Sequence, residues 1–558
     1  AGRVLLVALA VATSTLAWSL LGTAQRSIVD QADFAVGADL RLVETAAIAP
    51  EGRTAQVAAL PGVAVAVPVS RMVLTVGAEH TRTTIIGIDA TRAGEVMRSR
   101  DDFGLGPAVF ADLAAPRPEL PLLPLPPGAT RLAATMAAAL GLSEAAVLGP
   151  PESDGLSPLP PLDLTATAIL LAPDGRLVRL PLGTVGTAQD ARRFEVALPG
   201  DPGLALVQIS VEVSGPTRSA PIHWSLTDVE VADASGAWSP LDLTRAGDWV
   251  LVDVLGEAAG SVDVRAASLQ ATREPDIIEL FNELALSMDF AVMPVWTHDT
   301  VPVVATPPLL RTLGVEVGQV APVPVAGTPV KMHVIGEAAA VPGTSRSPSA
   351  VLADLPSLAV AVARRPDHVV AVTEHWVATE PGATATTAQA AGEVSGVRVL
   401  DRVRAAEAAG RDPYGIGGRT ALVVAGVGAF LLALIGIAVD VRASARRRVG
   451  EFAVLQTMGA GSRLLARTVL GEQGLLAGLG VLIGLGIGLG VAATLAPLVI
   501  LTPSADRPEP PALLSVPWLP VLGTAGGLVA AAMILSGVVA ATLGRRLAVA
   551  RLRIGDEA

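Results

Sequence analysis

The sequence predicts an α-helical membrane protein with four transmembrane helices and a large mixed α/β extracytoplasmic domain that carries an inserted β-sandwich. Three observations predict it. Four apolar runs, at 4–21, 420–441, 474–501 and 518–543, reach the roughly 20 residues a helix needs to cross a bilayer. Arginine is concentrated beside three of them. The long stretch between the first two carries strand and turn signals instead of spans.

Composition agrees with this division. The chain is 51% hydrophobic and only 16% charged, with a mean hydropathy of +0.55. That is too apolar for an ordinary soluble protein and too polar for one lying wholly in lipid. A formal net charge of -12 counts against nucleic acid as a partner. The chain has no cysteine, which excludes disulfides and thiolate metal sites.

The first run begins almost at residue 1 and is long enough to span. The segment Ser19-Leu-Leu-Gly-Thr-Ala is a poor cleavage site, so 1–22 reads as an uncleaved first transmembrane helix. Orientation follows from the arginines. The loop after the second run carries Arg442, Arg446, Arg447, Arg448, Arg463 and Arg467 against Glu451. The tail carries Arg545, Arg546, Arg551 and Arg553 against Asp556 and Glu557. Both belong in the cytosol by the positive-inside rule, and Trp18, Tyr414 and Trp518 then fall near outer interfaces. The expected localisation is the plasma membrane, multi-pass, with the large domain outside.

The outer domain is expected in three pieces. An α/β core occupies 23–105 and resumes at 276–418, with the short runs GVAVAVPVSR and TTIIGIDA pairing with VPVVATPPLLRTLGVEVGQ far downstream. Between them, 106–275 is expected to be a β-sandwich with Pro-rich connectors such as APRPELPLLPLPPGA. Its signals are a hairpin turn at Pro173-Asp174-Gly175 and the alternation Val207, Ile209, Val211, Val213. Trp224, Trp238 and Trp249 fall within it, either as core or as a stacking surface for a glycan. The remainder divides into a second transmembrane helix (419–441), a cytoplasmic loop (442–472), a third helix (473–501), an outer loop (502–517), a fourth helix (518–543) and a cytoplasmic tail (544–558).

Gly480, Gly484 and Gly488 recur at i, i+4, i+8 in the third span. Lipid gives helices no hydrophobic reason to associate, so small residues at this spacing mark close packing, either within the chain or across a dimer. In the cytoplasmic loop, Phe452, Leu455 and Met458 form a narrow apolar ridge on a helix, edged by Glu451 and the arginines. Such a ridge fits a groove on a partner or the surface of anionic lipid equally well. The chain has no phosphate-cradling loop of the GxxxxGK[ST] type, no GxSxG elbow and no HExxH. Its six histidines are scattered, and the neighbours His298-Asp299 and Glu374-His375 are expected at polar turns. No catalytic or metal residue is expected.

The stretch RRRVGEFAVLQTMGAGSRLLARTVLGEQGLLAGLGVLIGLGIGLG resembles the signature region of FtsX-like (MacB-type) ABC transporter permeases. GADLRLV and VPVVATPPLLRTLGVEVGQ also resemble that family's outer core, and the order of one span, an outer domain and three spans is similar. The beginning of the chain resembles the second half of long, duplicated actinobacterial members. The resemblance implies that Arg448, Glu451, Phe452, Leu455, Met458, Gly459 and Ala460 couple to a separate cytoplasmic ABC ATPase, which would hold the ATP and Mg²⁺. Glu472 matches a family glutamate and reads equally as a carboxylate at the lipid interface. The implied function is mechanotransmission to export or extraction of a lipid, lipoprotein or drug. A signalling scaffold that activates a cell-wall enzyme is the alternative. A second permease half or a homodimer, membrane lipid, and an extracytoplasmic protein or glycan complete the expected partners.

Overall fold

The computed structural model describes residues 2–46, 48–141, 161–200, 203–215, 220–275, 288–297, 299–344, 347–366, 368–411, 413–447, 462–500 and 507–555. The chain forms two compact units: Ala1–Phe34 with Val403–Ala558, and Ala35–Arg402. Helix α1 (Gly2–Val36) runs unbroken through the first apolar segment. It stops at Gly37, whose φ of +85° suits glycine, and a Cβ there would lie 2.8 Å from the Trp376 ring.

The second unit opens with β1 (Leu40–Glu44), α2 (Arg53–Ala58), β2 (Val63–Val76), β3 (Thr81–Ile88), α3 (Ala90–Val96) and α4 (Pro107–Ala114). Twelve strands follow: β4 (Leu123–Pro124), β5 (Arg131–Leu140), β6 (Asp163–Leu171), β7 (Leu177–Gly186), β8 (Arg192–Ala197), β9 (Ala205–Ser214), β10 (Ile222–Ala232), β11 (Trp238–Pro240), β12 (Trp249–Asp253), β13 (Gly260–Arg265), β14 (Ser268–Arg273) and β15 (Phe290–Pro294). The chain then returns through β16 (Thr300–Ala305), α5 (Pro307–Leu313), β17 (Val320–Val325), β18 (Thr328–Glu337), β19 (Ser349–Asp354), α6 (Leu355–Val362), β20 (Glu374–Thr379), α7 (Thr384–Gly392), β21 (Val397–Asp401) and α8 (Arg402–Gly410).

The early and late strands interleave in one nine-stranded sheet of order β17-β18-β16-β19-β3-β2-β20-β1-β21. The β16/β18 and β3/β19 pairs are parallel and the others antiparallel. Helix α6 is buried at all eight positions and packs Leu355, Leu358 and Val362 with Val303, Met332 and Val351. Its Asp354 cap accepts the Ser357 amide. A second apolar cluster joins Val57 of α2 and Ala388 and Ala391 of α7 to Leu40, Leu42 and Val377.

The twelve middle strands form two six-stranded antiparallel sheets, β13-β14-β10-β5-β8 with β11, and β12-β15-β9-β6-β7 with β4. Leu164, Leu170, Ile209 and Phe290 of one sheet meet Leu132, Met136, Trp224 and Leu269 of the other. Each such side chain contributes about 1.5–3 kcal/mol when fully buried. Trp224 meets Phe290 edge-on, and Trp249 donates its ring N–H to the Leu243 carbonyl, so both are core residues. Trp238 stays half-buried at the surface with Arg131 and Arg193 stacked on its ring. The regular alternation expected in β9 breaks at a register shift between the β6 residues Ile169 and Leu170. Val207 there packs with Leu171 and Trp296 in the α6 cluster, while Ile209 and Val211 face the sandwich core.

The strands place the sandwich at 123–294 and not at 106–275. Pro107 starts a short helix whose Phe110 and Leu113 are buried, and Leu120 joins the α6 cluster, so this segment belongs to the α/β core. At the other end the wholly buried strand FAVMP pairs with β9 and β12. The first Pro-rich connector is pinned by Arg117, which pairs with Asp354 and Asp89. The second falls mostly outside the described residues.

Helices α9 (Pro413–Arg447), α10 (Ser462–Val499) and α11 (Trp518–Gly555) complete the first unit. With α1 they are four helices long and apolar enough to cross a membrane. Over its apolar window α1 is 56% buried, against 17–28% for the other three, so it is the most enclosed helix of the four. Large apolar side chains stay exposed along these helices, among them Leu432, Leu482 and Leu519, as a lipid-facing surface requires. The fourth helix continues to Gly555, through most of the segment expected as a tail.

Candidate coupling site

Arg448, Glu451, Phe452, Leu455, Met458, Gly459 and Ala460 lie outside the described residues. The structure describes the helices on either side: α9 ends at Arg447 and α10 begins at Ser462. Beside them, a pocket among the four helices is lined by Leu6, Val7, Ile437, Leu476 and Ala532, with Asp440 and Gln473 as its polar members.

The three spaced glycines of α10 face α1. A Cβ at Gly480 would lie 3.0 Å from Val7, one at Gly484 would lie 2.5 Å from the Ala8 carbonyl oxygen, and one at Gly488 would lie 2.7 Å from that of Ala12. Backbones this close leave no room for a methyl group, and dispersion between them replaces the missing hydrophobic drive. Helix α9 approaches α1 in the same way, with Gly426 against Ala17 and Gly436 against Leu6. The Ser14 hydroxyl of α1 adds a 3.5 Å bond to the Gly426 carbonyl. Thus α1 is gripped by the two helices that bracket the candidate coupling segment. Gly486 and Gly490, on another side of α10, have open space around them.

The second unit holds a set of buried charges. Glu374 lies within β20, 1% exposed, and accepts from Arg41 at 2.9 Å, Arg71 at 2.6 Å and the Trp376 ring N–H at 3.1 Å. Burial alone would push its carboxyl up; Arg71 and Arg41 outweigh it and hold it below the usual range. Next to it, the His375 Nε2 is 3.1 Å from the Thr54 hydroxyl and its Nδ1 is 3.6 Å from Glu44. Burial first, then Arg53 and Arg176, depress this imidazole to about 4. Glu44 is not a strong counter-charge for it, because Arg53 lies 3.0 Å from the same carboxyl oxygen. Burial pushes the Glu44 carboxyl up against that pull.

Glu374 and His375 therefore are not turn residues. They stand in the middle of the sheet, where β20 pairs with both β1 and β2. Asp299 pairs with Lys331 at 2.7 Å, and His298 lies outside the described residues. No group of three or more metal-ligating side chains occurs among the described residues. The buried ions join neighbouring strands, Arg41 of β1 and Arg71 of β2 both meeting Glu374 of β20. Local sequence gave little sign of them, since Arg41 and Glu374 are 333 positions apart.

Residues 423–546 match the family model described as FtsX-like permease C-terminal. The matched stretch holds most of α9, the loop after it, all of α10 and much of α11. This part of the chain is an FtsX-like permease domain, of the kind that forms the membrane subunit of an ATP-binding cassette transporter. The domain is consistent with the FtsX/MacB-type ABC permeases, a family that implies a cytoplasmic ABC ATPase as partner in general. A search of curated proteins gave no significant match.

Proposed function

We propose that the chain is the permease subunit of a transporter of the mechanotransmission type. A separate ATPase binds ATP and Mg²⁺ and grips the loop through Arg448, Glu451, Phe452, Leu455, Met458, Gly459 and Ala460. Its stroke passes through the spans to the second unit, which acts on a hydrophobic cargo, a lipid, lipoprotein or drug, at the outer membrane face. The match over 423–546 carries this reading, because it covers the loop together with the helices on both sides. The close packing of α1 against α9 and α10 supports it, since a displacement of either helix is felt by the helix that leads into the second unit.

The ridge is tested by changing Phe452→Asp and Leu455→Asp together. Two carboxylates in an apolar groove leave buried unpaired charge, so the partner ATPase should no longer co-purify. An intact complex would overturn the reading and favour a loop helix lying on lipid.

A further inference from the structure

The chain passes between its two units only twice, at 34/35 and at 402/403. Both crossings enter the second unit on the same pair of strands. β1 follows the first crossing, β21 precedes the second, and they are antiparallel neighbours, with Leu40 opposite Asp401 and Glu44 opposite Val397. β21 is the edge of the nine-stranded sheet and pairs within it with β1 alone. A pull on the second crossing therefore acts on an edge strand held by one ladder, which is the easiest strand of a sheet to peel away.

At the end of the ladder nearest both crossings stands Asp39, 2% exposed. Its carboxylate accepts two bonds from Arg98, at 2.8 and 2.7 Å, and one from Arg402 Nε at 2.8 Å. It also accepts the Thr379 amide of β20 at 3.0 Å. The Asp39 carbonyl in turn accepts the Arg402 amide at 3.3 Å, and the Arg98 amide donates to Gly37 at 2.8 Å. One carboxylate thus joins the residues beside the first crossing, the last residue before the second, the adjacent β20, and the segment after α3. Charge-assisted and bidentate bonds are the strongest of their kind and hold orientation as well as distance.

We propose that Asp39 is a positioning residue for transmission: a clasp that binds the two crossings together, so that a displacement arriving at either is passed to the whole sheet without peeling β21 from β1. The proposal rests on the coupling reading above. It assigns to Asp39, Arg98 and Arg402 a role distinct from assembly with the ATPase, which belongs to the cytoplasmic loop.

The test uses the full chain reconstituted with its ATPase partner, comparing hydrogen exchange over 35–402 with and without ATP and vanadate. Asp39→Asn keeps the shape and removes the charge. The complex should still form and its ATPase rate should stay within about twofold, but the nucleotide-dependent change in exchange over the sheet should fall at least fivefold. A merely structural loss is separated by rescue. Val43 and Arg398 face each other across β1 and β21, and the chain has no native cysteine. In Asp39→Asn carrying Val43→Cys and Arg398→Cys, oxidation should restore the nucleotide response and reduction should abolish it again. A full response in Asp39→Asn, or no recovery on oxidation of a formed disulfide, overturns the clasp alone. A wild-type complex whose second unit ignores nucleotide overturns the coupling reading and the clasp with it.

Discussion

The β-sandwich and the nine-stranded α/β core belong to one compact unit, and both bury large apolar clusters, but only one of them buries acids. Among the described residues, the buried carboxylates Asp39, Glu44, Asp89, Asp354, Glu374 and Asp401 all lie in the α/β core. The main sandwich cluster is aliphatic and aromatic, its strands bury Gln208, Ser210 and Arg273 besides, and its described carboxylates stay nearer the surface. Apolar packing is non-directional and tolerates a change of shape if volume is kept. Buried ion pairs are weak sources of net stability but are unforgiving when one partner is lost. The difference teaches where geometry is held most strictly: in the core, around the strands by which the chain enters and leaves, and not in the insert.

A pair of volume-conserving changes would break or sharpen that contrast most directly. Glu374→Gln keeps size but leaves Arg41 and Arg71 buried beside each other without a counter-charge. It should cost about 4 kcal/mol, the range for breaking a buried pair. Leu170→Met in the sandwich core, at a site with no exposure, should cost under about 1.5 kcal/mol. Chemical unfolding of the two variants against wild type measures both, and equal costs would dissolve the distinction.

The same contrast explains what was legible in the sequence. The spans are local signals, since about 20 apolar residues in a row need no partner to be recognised. The sandwich is nearly as local, because each hairpin carries its own alternation and turn, as at Pro173-Asp174-Gly175. Its far boundary was missed because FAVMP is buried on both faces and shows no alternation. The ion clusters were not legible at all. Arg41 finds Glu374, and Asp39 finds Arg402, only after strands from opposite ends of the domain have paired. Glu374-His375 therefore looked like a polar turn, when the tertiary fold had made it the centre of a sheet.

A pH scan probes the core more gently. His375 is held neutral by burial and by Arg53, its imidazole at about 4 against an ordinary value of 6.5. Above pH 6.5 neither the folded nor the unfolded state protonates it, and stability from this group is full. As pH falls from 6.5 towards 4 the unfolded state takes up the proton and the folded state does not, so stability is lost across that window. The loss is on the order of 3 kcal/mol when complete. Glu44, whose carboxyl burial pushes up, takes up a proton more readily in the folded state as pH falls, a contribution of opposite sign. The difference between wild type and His375→Gln isolates the ring: the wild type should lose more stability between pH 6.5 and 4.

The smallest effect is expected on the sandwich surface, where charge is present but wet. Arg193 lies 2.7 Å from Glu230 and stacks on Trp238 at 5.5 Å from the ring centre. The Arg193 and Glu230 side chains are 43% and 30% exposed. Water screens the pair, the ring contact adds little at an exposed site, and holding a long side chain in place costs entropy. Arg193→Ala should therefore shift unfolding stability by about 1 kcal/mol or less, and by less still in 0.5 M salt. The same chemical groups, arginine and carboxylate, thus separate by location: several-fold more costly to break inside the sheet that receives the chain crossings than on the face of the insert. A loss above about 2 kcal/mol for Arg193→Ala would mean that the sandwich also depends on its ions, contrary to this division.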